Sequence, residues 1–313
     1  MSMSVLRTAD AWWVLTPTGA SHVHTDATTT GQLLADRQAV AAAAASGGSV
    51  AVTDLSPISP VTAPCRLIAQ MINSVSHVKD TGGNPESAPL AFFRKSSSSI
   101  SGPFDDVIRP SHVRLLDYEV EIGLVVGKHL PVGTRISEGT LSDYLAGLVV
   151  TNDVSARDVQ LPSSQYYEGK SYPTFTPVGP LLVLLDADEL KRFGDLRLKL
   201  WVNGELRQNM PVAGDMIYQP LEALQSLARF QRLDAGDLIL TGTPVGTAIS
   251  APPKAVQTLV SLIPEETKWK LFFQGQSRNP KYLKDGDVIE ATVATDGGAI
   301  DLGRQRTVVR DAG

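Results

Sequence analysis

Two glutamates separated by one residue, Glu119 and Glu121, form the most informative chemical pattern in this chain. They lie in an apolar run, residues 116–127, that predicts a β-strand. Because successive side chains of a strand point to opposite faces, both carboxylates share one face while Val120 and Ile122 point to the other. Two carboxylates side by side attract a cation. The alternative is an ordinary half-exposed strand with its polar groups outward.

A second apolar run ends in Asn152-Asp153 and predicts that Asp153 leaves a strand end as a third oxygen ligand. Three carboxylates suit a hard cation such as Mg²⁺, with Mn²⁺ or Ca²⁺ as alternatives, and leave coordination positions for a substrate that chelates through two oxygens. Zinc is disfavoured, because the chain has a single cysteine, Cys65, and its 5 histidines show no paired ligand spacing.

His77 and Asp80 are three residues apart in a segment that predicts a helix, so both side chains lie on one helical turn. A carboxylate beside an imidazole orients the ring and activates it as a general base. The alternative is a surface pair without a catalytic role.

Taken in this order, the segments resemble the fumarylacetoacetate hydrolase family. Its catalytic domain carries an Asn-Tyr-x-x-His-x-x-Glu segment, then a Glu-x-Glu strand, then an Asn-Asp-x-Ser-x-Arg segment. Further matches in family order are residues 93–95, 97–100, 169–171, 177–180, 202–204, 241–246 and 283–287. The resemblance covers residues 66–305, and its specificity lies in the ordered set rather than in any one motif.

The resemblance implies an α+β, mostly-β fold: a catalytic domain of the mixed β-sandwich roll type, which forms a homodimer. Ahead of it, a strand at 11–16 and a helix from Thr30 to about Ala45 predict a small α/β unit. The Ser- and Pro-rich composition of residues 56–64 predicts a linker. We therefore expect an N-terminal domain at 1–64 and a catalytic domain at 65–313, with a helix near 221–230.

Several polar residues acquire roles through the resemblance. Lys170 is expected to act in catalysis and Lys95 to bind substrate, because ammonium groups can meet a carboxylate or a developing enolate oxygen. Arg157, Gln160 and Thr243 match substrate-binding positions. The alternatives are solvated lysines and a purely structural Gly-Thr-Pro turn at Thr243.

The favoured function is hydrolysis of a C–C bond in an acylpyruvate or related β-diketone, of the kind met in aromatic catabolism. In this mechanism His77, oriented by Asp80, activates the water that attacks the distal carbonyl, and the cation holds the enolate that leaves. The runner-up is a metal-dependent lyase or isomerase of a 2-oxo acid: a decarboxylase, hydratase or isomerase. The third hypothesis is an inactive binding protein.

Four departures from the family pattern bear on this choice. Ser74 stands where Tyr is usual, Asp80 where Glu is usual and Pro173 where Asp is common, so the base and the pocket wall are expected to differ. Residues 251–281 look like an insertion with aromatic side chains at Trp269, Phe272 and Phe273. These aromatic residues predict a lid, a dimer contact or a satellite core cluster.

Length and composition agree with such an enzyme. The 313 residues, 42% of them hydrophobic, suffice for one large domain and one small domain. A formal net charge of −5 argues against nucleic acid as a partner. The chain contains no apolar run long enough to span a membrane and no signal-peptide core. With one free cysteine, it is expected to be cytoplasmic.

Overall fold

The structure is a computed structural model that describes residues 2–163, 165–249 and 264–313. Strand residues outnumber helical residues within these ranges. The predicted mostly-β α+β class is therefore confirmed. No helix in the described ranges is long and apolar enough to cross a membrane.

The described strands form two large sheets and two short pairs. A nine-stranded sheet has the order β3-β2-β1-β13-β10-β9-β16-β4-β5, and a five-stranded sheet has the order β15-β14-β17-β18-β7. The short pairs are β8 with β11 and β6 with β12. The bounds are β1 Met3–Arg7, β2 Trp12–Thr16, β3 Gly19–His22, β4 Leu67–Met71, β5 Ala91–Lys95, β6 Ile100–Ser101, β7 Val107–Arg109, β8 Leu116–Asp117, β9 Val120–Val126, β10 Leu145–Asn152, β11 Ser155–Ala156, β12 Thr176–Pro177, β13 Leu181–Leu184, β14 Leu196–Val202, β15 Glu205–Pro211, β16 Leu238–Leu240, β17 Val288–Thr295 and β18 Asp301–Asp311.

Helices are short and lie between the strands. Their bounds are α1 Thr30–Ala35, α2 Arg37–Ser46, α3 Val75–Asp80, α4 Leu141–Tyr144, α5 Arg157–Gln160, α6 Tyr167–Lys170, α7 Ala187–Leu190, α8 Pro220–Ala228 and α9 Glu265–Gln276. The predicted helix near 221–230 corresponds to α8. The predicted helix from Thr30 to Ala45 is instead two helices, because Asp36 breaks the run and its side chain accepts the N–H of Ala39 to cap α2.

One buried cluster joins the two large sheets. Alternate residues of β9, such as Ile122 and Leu124, belong to the same cluster as Leu198 and Leu200 of β14. On the other face of the nine-stranded sheet, residues including Val125 pack with α1 and α2. β9 and β10 are therefore buried on both faces, and polar groups at their ends are held in a rigid, dry frame.

The N-terminal strands extend the sheet of the catalytic part. β1 pairs antiparallel with β13, with Met3 opposite Leu184, and β2 and β3 follow outward. The predicted strand at 11–16 is present as β2. The nine-stranded sheet therefore contains strands from both sides of the predicted domain boundary at residue 65.

Candidate active site

The three predicted metal ligands meet where β9 begins and β10 ends. These strands are antiparallel neighbours, with Glu121 opposite Thr151, and the main-chain N–H of Asp153 donates to the carbonyl of Glu119 at 2.8 Å. One oxygen from each carboxylate lies within 4.8 Å of the others, and all three side chains are buried. The predicted three-carboxylate cluster is therefore present.

Three cationic side chains pair with two of these three carboxylates, Glu119 and Asp153. Lys170 Nζ donates to Glu119 Oε2 at 2.6 Å and to Asp153 Oδ2 at 2.7 Å. Lys95 Nζ donates to Asp153, and Arg157 Nη2 donates to Glu119. Burial raises the pKa of Glu119, but Arg157 and Lys170 more than offset this, so that its pKa lies well below the usual range. Glu119 is therefore an anion at neutral pH.

Glu121 differs from the other two carboxylates. It accepts the main-chain N–H of Gly242 at 2.6 Å, and no ion pair joins it to a cation within the described ranges. Burial, then the charges of Asp153 and Glu119, raise the pKa of Glu121 well above its usual range. A divalent cation bound at this cluster would supply the positive charge that the side chains around Glu121 do not.

The donor set fits a hard divalent cation. All three candidate ligands are carboxylates, and in the described part of the chain no cysteine or histidine joins the group. Oxygen donors suit Mg²⁺, Mn²⁺ and Ca²⁺, whereas zinc sites draw on sulfur and nitrogen. Such an ion would be held by Glu119, Glu121 and Asp153.

The Gly-Thr-Pro turn, residues 242–244, contacts this cluster through the main-chain N–H of Gly242, which donates to Glu121. Gly242 has φ +85°, and a Cβ there would lie 2.9 Å from the Cβ of Asn73, so that only glycine fits. The hydroxyl of Thr243 donates to the carbonyl of Val120 at 3.0 Å and accepts from Gln208 Nε2 at 2.9 Å. Both hydrogen bonds of the Thr243 hydroxyl are therefore made within the protein, and one of them is to the first residue of β9. These contacts agree with the alternative of a structural turn.

His77 lies on α3, which begins with a polar cap. The Ser74 side chain accepts the N–H of His77 at 3.2 Å and donates to Asp215 Oδ2 at 2.6 Å. The N–H of Ser76 also donates to Asp215, at 2.7 Å. The departure at Ser74 has a physical reason here, because its short hydroxyl caps the helix that carries His77, a role that tyrosine does not fill.

The expected hydrogen bond between His77 and Asp80 does not form at Nδ1. This atom is buried and has no partner among the described residues. Burial lowers the pKa of His77, and Asp80 contributes only the smallest of the opposing charge effects. The imidazole is therefore neutral at pH 7. The predicted hydrogen-bonded pair of His77 and Asp80 is not formed, because Nδ1 has no carboxylate partner among the described residues.

A cavity of about 120 Å³ brings most of the predicted site residues together. His77 and the three carboxylates line it, as do Lys170, Arg157, Gln160 and Thr243. Lys95 is placed differently from the prediction: it lies outside this lining and donates to Asp153 and to the carbonyl of Phe175, the latter at 2.9 Å. Pro173 is exposed and also lies outside the lining.

Asp117 is a site residue that was not predicted from the sequence. This carboxylate is fully buried and accepts Arg157 Nε at 2.8 Å and the main-chain N–H groups of Ala248 at 2.7 Å and Ile249 at 3.2 Å. Arg157 also donates a hydrogen bond to Glu119, so it links Asp117 to this candidate metal ligand. The signal was available, since Asp117 precedes Glu119 and Glu121 at the same spacing of two.

Replacing Asp117 with asparagine is expected to weaken metal binding and catalysis. In this variant Arg157 loses its charged partner at position 117 and can move closer to Glu119. Glu119 is then less available as a ligand for the cation. Outer-shell partners of metal ligands typically contribute 10- to 100-fold, so we expect losses of about that size in Mg²⁺ affinity, measured by calorimetry.

Asp237→Asn provides the matched control for Asp117→Asn. Asp237 is also buried and accepts two hydrogen bonds from Arg66, at 2.7 and 3.0 Å, outside the lining of the metal-site cavity. We expect it to lower thermal stability while leaving Mg²⁺ affinity unchanged. Equal losses of affinity in both variants would show that Asp117 acts only through general stability.

The predicted insertion is partly described. Residues 250–263 lie outside the described residues. In α9, the rings of Trp269 and Phe273 stack with centroids 5.7 Å apart, and Phe273 packs against the main core. This packing favours a satellite core cluster at the described end of the insertion.

The fold and a buried carboxylate cluster that could hold a metal ion match those of a known enzyme family. A family model described as the C-terminal domain of fumarylacetoacetate (FAA) hydrolase matches residues 66–310. The chain therefore belongs to the fumarylacetoacetate hydrolase family, as its motifs predicted.

Similar proteins within this family have several activities. The mitochondrial oxaloacetate tautomerase Fahd2a of Rattus norvegicus is 34% identical over 197 residues, 63% of this chain but only 61% of the relative. A probable 2-hydroxyhepta-2,4-diene-1,7-dioate isomerase from Mycobacterium abscessus has a similar crystal structure, with 30% identity, a TM-score of 0.74 and full coverage of both chains. A fumarylacetoacetate hydrolase from Exiguobacterium antarcticum shows 25% identity and a TM-score of 0.70 over 99% of this chain and 100% of its own.

Proposed function

We propose that this protein is a Mg²⁺-dependent enzyme that moves a proton between carbon and oxygen in a small 2-oxo acid, as a tautomerase or isomerase. The observation that carries the proposal is the neutral, buried His77, with Nδ1 unpartnered, on the wall of the same cavity as three carboxylates. The rat tautomerase and the mycobacterial isomerase support this reaction class.

The chemistry follows from what these residues hold and exchange. A divalent cation, when bound, polarises the 2-oxo group and so acidifies the neighbouring C–H bond. His77 accepts that proton as the neutral imidazole and, as the imidazolium so formed, returns it to the enol oxygen, with the reverse transfer in the opposite direction. Arg157 and Lys170 hold Glu119 in place as an anion through their hydrogen bonds.

Hydrolysis of a C–C bond in an acylpyruvate is the second candidate. It also needs a base, since His77 would take a proton from the attacking water, and the Exiguobacterium hydrolase shares the fold. Hydrolysis was favoured from the sequence because Asp80 would orient His77 to activate water. No hydrogen bond joins Asp80 to His77 Nδ1 among the described residues, so hydrolysis takes second place.

A substrate panel separates these candidates. Oxaloacetate, a 2-hydroxydienoate and an acylpyruvate are each incubated with Mg²⁺ and with a chelator, and enol absorbance and released carboxylic acid are followed. The proposal expects Mg²⁺-dependent loss of the enol signal without new carboxylic acid. Release of pyruvate and a second acid from the acylpyruvate would replace it with hydrolysis, and CO₂ release from oxaloacetate would replace it with decarboxylation.

A further inference from the structure

A buried glutamine, Gln70, lies near the end of β4 on the wall of the metal-site cavity, and only 3% of it is exposed. On this strand it shares a face with Ile68, which belongs to the cluster that joins the two large sheets. Its antiparallel neighbour Phe92 packs against the same cluster. The carboxamide of Gln70 is therefore held beside apolar side chains at the edge of the carboxylate site.

Both polar atoms of this carboxamide lack a hydrogen-bond partner. Oε1 and Nε2 of Gln70 are buried, and neither meets a donor or an acceptor among the described residues. A buried polar atom that is left unpaired destabilises a folded protein, so each such atom needs a physical explanation. Here two of them belong to one side chain, and that side chain lines a cavity.

Other polar side chains on the same wall are paired within the protein. The hydroxyl of Thr81 donates to the carbonyl of His77 at 2.9 Å. Oε1 of Gln160 accepts from Arg157 Nη1 at 2.9 Å. Among the described residues that line this cavity, buried side-chain N or O atoms without a partner occur only on Gln70 and on His77, the base of the proposed reaction.

The chemistry of a carboxamide limits what it can bind. The group is uncharged and offers a donor at Nε2 beside an acceptor at Oε1. A carbonyl oxygen can accept from Nε2, and an enol hydroxyl can donate to Oε1. A glutamine can therefore pair with the keto form and with the enol form of one oxygen-bearing carbon, which a side chain with donors only, such as lysine, cannot do.

We propose that Gln70 is a further substrate-binding residue, which hydrogen-bonds an uncharged oxygen of the substrate in both tautomers. Nε2 donates to the carbonyl oxygen of the keto form, and Oε1 accepts from the hydroxyl of the enol form. Gln70 contacts the substrate but exchanges no proton with it, because a neutral amide carries no titrating group near pH 7. This inference rests on the proposed function, since it assigns a contact to the substrate of the same site.

The first test is the stability of the ligand-free protein. Gln70→Met keeps the length of the side chain and removes both unpaired atoms, so we expect the unfolding temperature to rise by about 2 to 4 °C. Gln305→Met is the matched control. Gln305 is also buried, but its Nε2 donates to the carbonyl of Gly179 at 3.3 Å, outside the lining of the metal-site cavity. We expect the control to unfold at a lower temperature than wild type.

The second test is steady-state kinetics on the substrate panel. In Gln70→Met, KM is expected to rise by about 10-fold while kcat stays within a few-fold, because a contact made alike to both tautomers contributes uniform binding. Mg²⁺ affinity is expected to stay unchanged, since Gln70 is outside the three-carboxylate cluster. Gln305→Met is expected to keep the wild-type KM. A glutamine with a purely structural role would not combine higher stability with weaker substrate binding.

A lower unfolding temperature in Gln70→Met would show that the amide is paired within the protein and would overturn the inference, as would an unchanged KM. Gln70→Leu repeats both measurements if the methionine variant does not fold. Failure of both variants to fold would assign the amide a structural role and would likewise overturn the inference.

The proposed function is judged separately, by turnover in wild type. If wild type turns over none of the panel, calorimetric titration of the same ligands into Mg²⁺-loaded wild type and Gln70→Met still measures the contact. Weaker binding in the variant then rejects the proposed reaction and keeps the contact. Turnover by wild type with an unchanged KM in Gln70→Met rejects the contact alone, and failure of every ligand to bind rejects both.

Discussion

Replacing Glu121 with alanine is expected to abolish Mg²⁺-dependent turnover while leaving the fold intact. Glu121 is one of three buried oxygen ligands, and its loss removes a contact that the neighbouring side chains cannot replace. Outer-shell changes cost up to about 100-fold in metal affinity, so loss of a direct ligand is expected to cost more. Calorimetric titration with Mg²⁺ and Mn²⁺ and the substrate panel measure the two effects.

The metal-free Glu121→Ala variant is expected to be no less stable than metal-free wild type. Removing one of three crowded carboxylates relieves repulsion, and the same burial that raises the pKa of Glu121 disfavours its charged form. Glu290→Ala serves as the control, since Glu290 lies on β17 of the five-stranded sheet and pairs with Arg304 at 2.9 Å. Retained Mg²⁺-dependent turnover in Glu121→Ala would contradict the metal centre.

Replacing His77 with alanine is expected to lower turnover by about 10² to 10⁴, with Mg²⁺ affinity nearly unchanged. The ring lines the cavity as the neutral base, but it is outside the three-carboxylate cluster. Steady-state kinetics and metal titration on the same preparation separate these effects. Turnover that survives within a few-fold would favour a decarboxylase that needs the cation alone.

The pH profile gives an independent check on His77. Its pKa is lowered from the ordinary 6.5, chiefly by burial, so the neutral form that accepts a proton persists below that pH. The acidic limb of kcat/KM assigned to His77 is therefore expected below pH 6.5. Asp80→Asn is expected to leave turnover within a few-fold, because no hydrogen bond links Asp80 to the buried Nδ1.

Local pattern was enough to identify the carboxylates of the site. The alternation of β9 decides which residues share a face, and this depends only on backbone geometry within one segment. The same reasoning located Asp153 at a strand end, since an apolar run followed by Asn-Asp marks where a strand stops. The mostly-β class followed from the ordered set of family motifs.

Tertiary structure decided which charges are paired and which are left alone. Lys95, Arg157 and Asp117 come from separate segments, and only the sheet register brings them to the cluster. Sequence spacing predicted that Asp80 would orient His77, yet the helix leaves Nδ1 buried without a partner. Contacts of this kind depend on long-range packing and on desolvation, which no local window of sequence contains.

The N-terminal strands show the same division. Composition marked residues 56–64 as a linker and the preceding segment as a small α/β unit, and β2 is where it was predicted. Whether β1 to β3 form a sheet of their own depends on an available partner edge, and β13 provides one through antiparallel pairing. Strand identity is local, because it follows from side-chain alternation. Strand partnership is tertiary, because unpaired backbone N–H and C=O groups are satisfied by whichever edge the fold presents.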